Sequence, residues 1–457
     1  MNIRRTLGLD GAVAYTFLAR AASILGSLGT VLLIVRFLGP VEQGYYYTLL
    51  SLISLQLVFE MGFSFVIQQL AAHECIHLEL HADGRVDGDA TAHQRLASAL
   101  QLSLKWYSRA AAAMVLILAP LGMVFFSRHA SAGAAHIAWQ GPWLAAVVAS
   151  AVSLWCMPFY AFLEGCGQVR AVSAMRLRQA LATSVFAWAA LLLHHGLYSP
   201  AMGLVGYVGT GTLFVLTRRR LLLGLLRYPA GAGAIRWNRE VWPFQWRIAV
   251  SWMCSYFTVQ IFIPILFALR GPVEAGQMGM SLSITSYMTV LALAWTSTKT
   301  TPFGRMIARR EFAELDSFFL RTLRQSLTVF VLTALVACVV AALLPAFAPR
   351  LAVRILSPLL FSLLVLTSGA NFVVQSLGIL LRSFKSEPFL AQSLVVAAST
   401  LTLAAVTASR WGNTGAALSY FSATAVIGLP FALTIFADAR HRYLNMSPFT
   451  SNAAEAR

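Results

Sequence analysis

His73-Glu74-Cys75-Ile76-His77 is the stretch of this chain closest to a catalytic signature. Four apart on a helix, the two histidines would share a face. Glu74 would stand beside them as general base toward a zinc-bound water. His81 would extend the stripe by another turn. The same residues also suit an interfacial helix with titratable histidines. No second ligand motif of recognisable spacing accompanies them, so the interfacial helix is the expected form, with no metal or other cofactor. Further candidates lie inside apolar runs. Arg20 carries a guanidinium fork that matches phosphate in geometry and charge; from the same position it could instead snorkel to headgroups. Glu60, with Gln56 one turn before it, is a candidate for ion coupling, or for a salt bridge with Arg20. Trp252, Tyr256 and Gln260 fall at four-residue steps, as do Asn371 and Gln375, so each set shares a helical face. Such faces could contact a polar ligand or hydrogen-bond a neighbouring helix. Arg176 and Arg178, with Arg170 and Arg247, could form a basic vestibule for an anionic headgroup, or simply belong to the cytoplasmic excess of basic residues.

These side chains act only where the chain places them, and composition says what kind of place that is. Of 457 residues, 58% are apolar and 11% charged, with mean hydropathy +0.71. Soluble proteins carry about 25% charged residues. A cytosolic enzyme, a disulfide-stapled secreted domain and a disordered chain are excluded. The five cysteines are scattered and read as isolated thiols. The net charge of +17 would suggest nucleic acid for a soluble domain. In a membrane protein it reads instead as the excess of Lys and Arg on cytoplasmic loops, and no nucleic-acid partner is expected.

Apolar runs predict twelve spans, at 13–35, 46–67, 110–126, 142–163, 179–197, 201–217, 248–269, 277–298, 326–344, 355–381, 389–409 and 414–437. The first, preceded by Arg4 and Arg5, reads as an uncleaved helix, because apolar sequence runs on past any usual cleavage point. With the N-terminus inside, only Arg36, Arg128, Arg270, Arg350, Arg354 and Arg410 fall on outer turns. Nearly all the other 28 basic residues face inward, which predicts cytoplasmic termini. Residues 93–109, with Leu96, Leu100 and Leu104 at four-residue steps, predict an amphipathic helix lying on the inner surface before the third span.

Gly39-Pro40-Val41-Glu42-Gln43-Gly44 after the first span recurs as Gly271-Pro272-Val273-Glu274-Ala275-Gly276 after the seventh, half a chain later. Six spans between the copies give both halves the same orientation, as in a parallel repeat about an axis along the membrane normal. The expected fold is an all-α polytopic membrane protein of about 12 helices in two parallel six-helix bundles. Its parts would be an N-terminal bundle at 1–217, a basic cytoplasmic linker at 218–246, a C-terminal bundle at 247–437 and a cytoplasmic tail at 438–457.

Arg36-x-Leu38-Gly39-Pro40 with Gly44-Tyr45, and Leu163-Glu164-Gly165-Cys166-Gly167-Gln168 after the fourth span, resemble flippases of the multidrug/oligosaccharidyl-lipid/polysaccharide exporter superfamily. Trp242-Pro243-Phe244-Gln245-Trp246-Arg247 is similar to bacterial members of that group. The resemblance implies a V-shaped pair of bundles alternating between inward and outward openings. It also implies a lipid-linked oligosaccharide as cargo, of the undecaprenyl-diphosphate type, flipped across a bacterial inner membrane for cell-surface polysaccharide such as O-antigen. Arg20, Arg247, Trp252, Tyr256, Gln260, Asn371, Gln375, Arg176 and Arg178 would meet the cargo and its diphosphate. Glu60 and Gln56 would couple transport to H+ or Na+. Partners would be membrane lipids and polysaccharide-assembly proteins. The alternatives are a drug/cation antiporter of the same superfamily, or a membrane enzyme: a polymerase, a glycosyltransferase or a zinc protease using His73-Glu74-x-x-His77. The short outer loops disfavour the polymerase.

Overall fold

A computed structural model describes residues 11–81, 84–129, 137–229, 235, 237–384 and 388–445. The Arg4-Arg5 pair, Asp83, most of the glycine-rich stretch after Pro229 and the tail from 446 lie outside the described residues. Each of the twelve expected spans is helical over most of its length. Among the described residues, nine helical stretches are individually long and apolar enough to cross a membrane, or ten if one bent pair counts as a span. One of them, Leu390–Asn445, holds the last two expected spans, which turn at Gly412. Leu25, Leu32, Leu213, Leu332, Val336 and Leu359 are all exposed, a surface that only hydrocarbon can cover. The chain is an all-α, multi-pass membrane protein.

Two compact units divide at Met253 and Cys254. The first begins with α1 (Gly11–Phe37). Its second span is broken into α2 (Pro40–Ile53), α3 (Gln56–Glu60) and α4 (Phe63–Glu74). A short antiparallel hairpin follows, β1 (Leu78–Leu80) against β2 (Val86–Gly88), with Glu79 opposite Asp87. Then come α5 (Ala90–His129), α6 (Gln140–Gly165), α7 (Val169–Leu192), α8 (Ser199–Thr217), the short α9 (Arg219–Arg227) and α10 (Trp242–Val259). The second unit holds the end of α10, then α11 (Phe262–Arg270), α12 (Pro272–Ser297), α13 (Thr300–Ala308), α14 (Phe312–Phe347), α15 (Pro358–Arg382), α16 (Leu390–Phe421) and α17 (Leu429–Asn445). A π-helical turn, Ser422–Gly428, joins the last two.

Both units repeat one packing order. In the first, α1 packs on α7, α7 on α8, α4 on α6 and α5 on α6. In the second, α11 packs on α16, α16 on the Ser422–Gly428 turn, α12 on α15 and α14 on α15. Small residues make the close approaches, as expected where neighbouring lipid supplies no hydrophobic drive between helices. A Cβ on Gly122 would lie 2.1 Å from the fully buried Trp143 ring, and one on Gly26 would run into Ser184.

One expectation changes. Residues 93–109 do not form a separate surface helix: they are the first half of the 40-residue α5, with Leu96 and Leu100 fully buried against the bundle. The leucine spacing that suits a membrane surface suits a helix neighbour equally well. Beyond 437, α17 continues through Asn445, and its Arg440 grips Asp316 of α14 with two bonds of 2.7 and 2.6 Å.

Candidate functional site

In the first unit, α1 and α7 lie in parallel register. Thr16 and Ser173 share a hydrogen bond of 3.1 Å, and the Trp188 indole donates to Thr30 Oγ1 at 2.9 Å, at sequence separations of 157 and 158. That constant offset carries Arg20, one turn beyond Thr16, to the level of Arg176. The two guanidinium groups are close enough to interact electrostatically. Arg20 is half-buried. Arg176 is held by Glu164 at the end of α6, with Nη2 donating to Oε2 and Nη1 to Oε1. A forked pair of this kind fixes the guanidinium plane.

Glu60 ends α3 at a break in the second span. Met61 and Gly62 both adopt left-handed backbone, φ 54° and 64°, before α4 resumes. Gly62 is needed twice: for its φ, and because a Cβ would lie 2.6 Å from Ile248 Cγ2. The Glu60 carboxylate is 5% exposed and accepts a 2.5 Å hydrogen bond from Ser64 Oγ. The phenols of Tyr107 on α5 and Tyr207 on α8 both lie near it, and Tyr207 also senses Arg176. Gln179 on α7 donates to the Tyr207 carbonyl at 3.3 Å. Tyr160, Gln179 and Gly211 meet so closely that a Cβ on Gly211 would collide with the Tyr160 hydroxyl. The result is a polar seam inside one bundle, running from Glu60 past Tyr207 to Arg176 and Arg20. It pairs two cations with scattered hydroxyls and two carboxylates, groups that by their chemistry can hold an anion's oxygens and exchange a cation at Glu60.

Other candidates fall elsewhere. Gln56 accepts a hydrogen bond from Ser150 Oγ and thereby ties α3 to α6. Arg178 is two residues from Arg176 on the same helix, so it points to a different face, where it lines an outer cavity with Arg218. Arg247 is exposed and rests over its neighbour Trp246, 5.5 Å from the ring. Trp252 leans over Gly62. In the second unit, Tyr256 is buried, Gln260 sits at the break before α11, Asn371 reaches the Tyr420 phenol and Gln375 is exposed. Tyr107, Tyr160 and Tyr207 escaped sequence reading. Hydroxyl-bearing aromatics inside apolar helices are the signal that could have found them.

The metal-hydrolase spacing dissolves on folding. His73 lies in the last turn of α4, but Cys75–His77 is a 3₁₀ turn, so His77 leaves the helical face. Glu74 is buried and accepts from Arg95 Nε at 2.8 Å, while Arg95 Nη2 donates to Glu240 at 2.7 Å. His81 pairs with Asp87 across the hairpin, 3.0 Å apart. No three or more His, Cys, Asp or Glu side chains are placed to hold a metal ion among the described residues.

No known protein family matches the chain by sequence, and no curated protein does. Solved structures do match. The MATE multidrug transporter DinF-BH aligns over 95% of this chain and 96% of its own, with 12% identity and a TM-score of 0.63. A mutant of the Vibrio cholerae MATE transporter VcmN aligns over 95% and 97%, with 14% identity and a TM-score of 0.60. The inward closed lipid II flippase MurJ aligns over 95% and 91%, with 13% identity and a TM-score of 0.57. A likeness that spans nearly the whole of each chain at such low identity is a likeness of architecture: this chain has the fold of the transporters and flippases of the MOP superfamily.

Proposed function

We propose that the protein carries a lipid-linked oligosaccharide with a diphosphate headgroup across a bacterial inner membrane, both termini in the cytoplasm, in service of cell-surface polysaccharide. The problem such a carrier solves is to pass a charged, hydrated headgroup through hydrocarbon while its lipid tail stays outside. The observation that carries the reading is the α1–α7 register, which brings Arg20 to the level of Arg176 inside the first unit. Two like charges brought near one another are stabilised by an anion that bridges them, and a diphosphate suits two guanidinium forks. MurJ, a lipid II flippase, shares the fold. In this reading residues 1–217 and 247–437 are the two bundles, joined by the basic stretch 218–246 and followed by the tail 438–457. The work is relocation and needs no covalent catalyst.

Glu60 favours a second reading, ion-coupled export of a cationic drug, because a shielded carboxylate can hold a cation. One assay separates the two. In proteoliposomes holding a defined undecaprenyl-diphosphate saccharide, Arg20→Ala lowers translocation at least about tenfold, the size of one lost charged contact. An undiminished rate overturns the anion role. Under an imposed pH gradient, Glu60→Gln abolishes the gradient's acceleration while leaving downhill movement intact. Cation efflux that depends on Glu60 but ignores Arg20 would instead establish the antiporter.

A further inference from the structure

Arg218 closes α8, and three cavities of the first unit converge on it. One, about 430 Å³, lies between α7 and α8 with Arg178, Leu213 and Phe214 on its wall. A second, about 390 Å³, reaches α1 and is lined by Tyr15, Gln168 and Arg170. The third, about 560 Å³, runs from the hairpin to α9 and takes in His81, Arg219 and Arg220. The lining of all three contains five arginines and not one carboxylate. Among the described residues none of those arginines forms an ion pair. Their number follows from the basic excess of this side of the chain, but their convergence on shared cavities does not.

Arg218 is also pinned. Its Nε donates to Gln168 Oε1 at 2.8 Å, and its guanidinium lies over the Phe214 ring at 5.9 Å. Arg170 passes close to Gly11, where an added Cβ would lie 3.0 Å from its Nε. A fixed fork such as that of Arg218 loses little freedom when it binds. Beside them the groove turns apolar: Leu213 is 66% and Leu216 52% exposed, a strip that acyl chains can cover. Helix α9 buries Leu221, Leu222 and Leu225 and leaves Arg219 and Arg220 outward, the disposition of a helix at the headgroup level.

We infer that this junction is a binding site for an anionic phospholipid of the inner leaflet, its phosphate held between Arg178 and Arg218 and its acyl chains along Leu213 and Leu216. The occupant is a resident lipid, not the cargo, and the inference does not depend on the cargo reading. The charge of the cavities selects a lipid that is net negative over one whose amine cancels its phosphate.

The test uses the full chain, purified in detergent and supplied with phosphatidylglycerol, phosphatidylethanolamine or inorganic phosphate. Native mass spectrometry counts retained lipid and thermal unfolding reports stabilisation. Phosphatidylglycerol is retained about tenfold over phosphatidylethanolamine and raises the melting temperature; the double variant Arg178→Gln, Arg218→Gln loses that preference. Should the double variant not fold, Arg178→Gln alone, an exposed side chain, shows about a threefold loss. Arg20→Ala leaves the preference unchanged. Preference that survives in the arginine variants overturns the site, and stabilisation by inorganic phosphate equal to that by the lipid overturns the phospholipid as occupant.

Discussion

At the first Gly-Pro-Val-Glu turn, Pro40 opens α2 and Glu42 folds back to accept the Gly39 N–H at 2.6 Å. At the second, Pro272 opens α12 in the same way, but Glu274 reaches across to the turn between α16's two halves and accepts the Asn413 N–H at 2.9 Å. Gln277, one turn further along, accepts from Asn413 Nδ2 at 2.8 Å, and Arg270 donates to the carbonyls of Ala408 and Arg410. The equivalent neighbours of the first turn are apolar and aromatic. Phe37 meets the His194 ring edge-on at 5.6 Å, and Leu38 packs into Gly196. Proline and glycine therefore fix where each helix begins, whereas the loop that comes to rest on the turn decides what the glutamate does. A charge that serves its own helix in one unit serves as a fastener between spans in the other.

That contrast can be broken by substitution. The largest effect falls on Gly412, which holds φ 54° and ψ −131° with the Glu274 carboxylate against its α-carbon. Gly412→Ala costs about 3 kcal/mol of stability, because a side chain both strains this backbone and displaces Glu274. Gly39→Ala, at φ −69°, costs less than about 0.5 kcal/mol. Equal melting temperatures for the two variants would erase the distinction. Next, Glu274→Gln costs about 1–2 kcal/mol through the weakened bond to Asn413, while Glu42→Gln costs only a few tenths, since glutamine caps its own helix nearly as well. The smallest difference is expected for Arg270→Ala against Arg36→Ala, about 1 kcal/mol against none measurable, read as the separation of thermal unfolding midpoints.

The spans were legible because a bilayer imposes a length that composition cannot hide. What lay inside them was not. Nothing in the local sequence requires Met61 to turn left-handed beside Gly62, nor announces that Ile248, far along the chain, leaves no room for a Cβ there. The hairpin had a cue in Asp83-Gly84 between apolar-flanked residues, but two three-residue strands are too short for alternation to stand out. In the site, Arg20 and Glu60 were visible as charges out of place, yet which way each faces depends on α7 and α5, whose registers no single helix encodes. Grouping Arg176 with Arg178 overlooked their two-residue spacing, which on a helix sends them to different sides.

The chain that leads from α9 into α10 is fastened to the first unit at several points. Gln101 of α5 donates to the carbonyls of Leu225, Leu226 and Tyr228, closing the end of α9. The Ile235 N–H donates to Ser98, Trp237 stacks on Trp106 at 4.9 Å, and Glu240 takes the second arm of Arg95. A protease cut between Tyr228 and Ile235 would therefore sever the peptide without freeing the pieces. Two separately expressed fragments meeting at that point would find each other through the same aromatic stack and ion pair and reconstitute the protein.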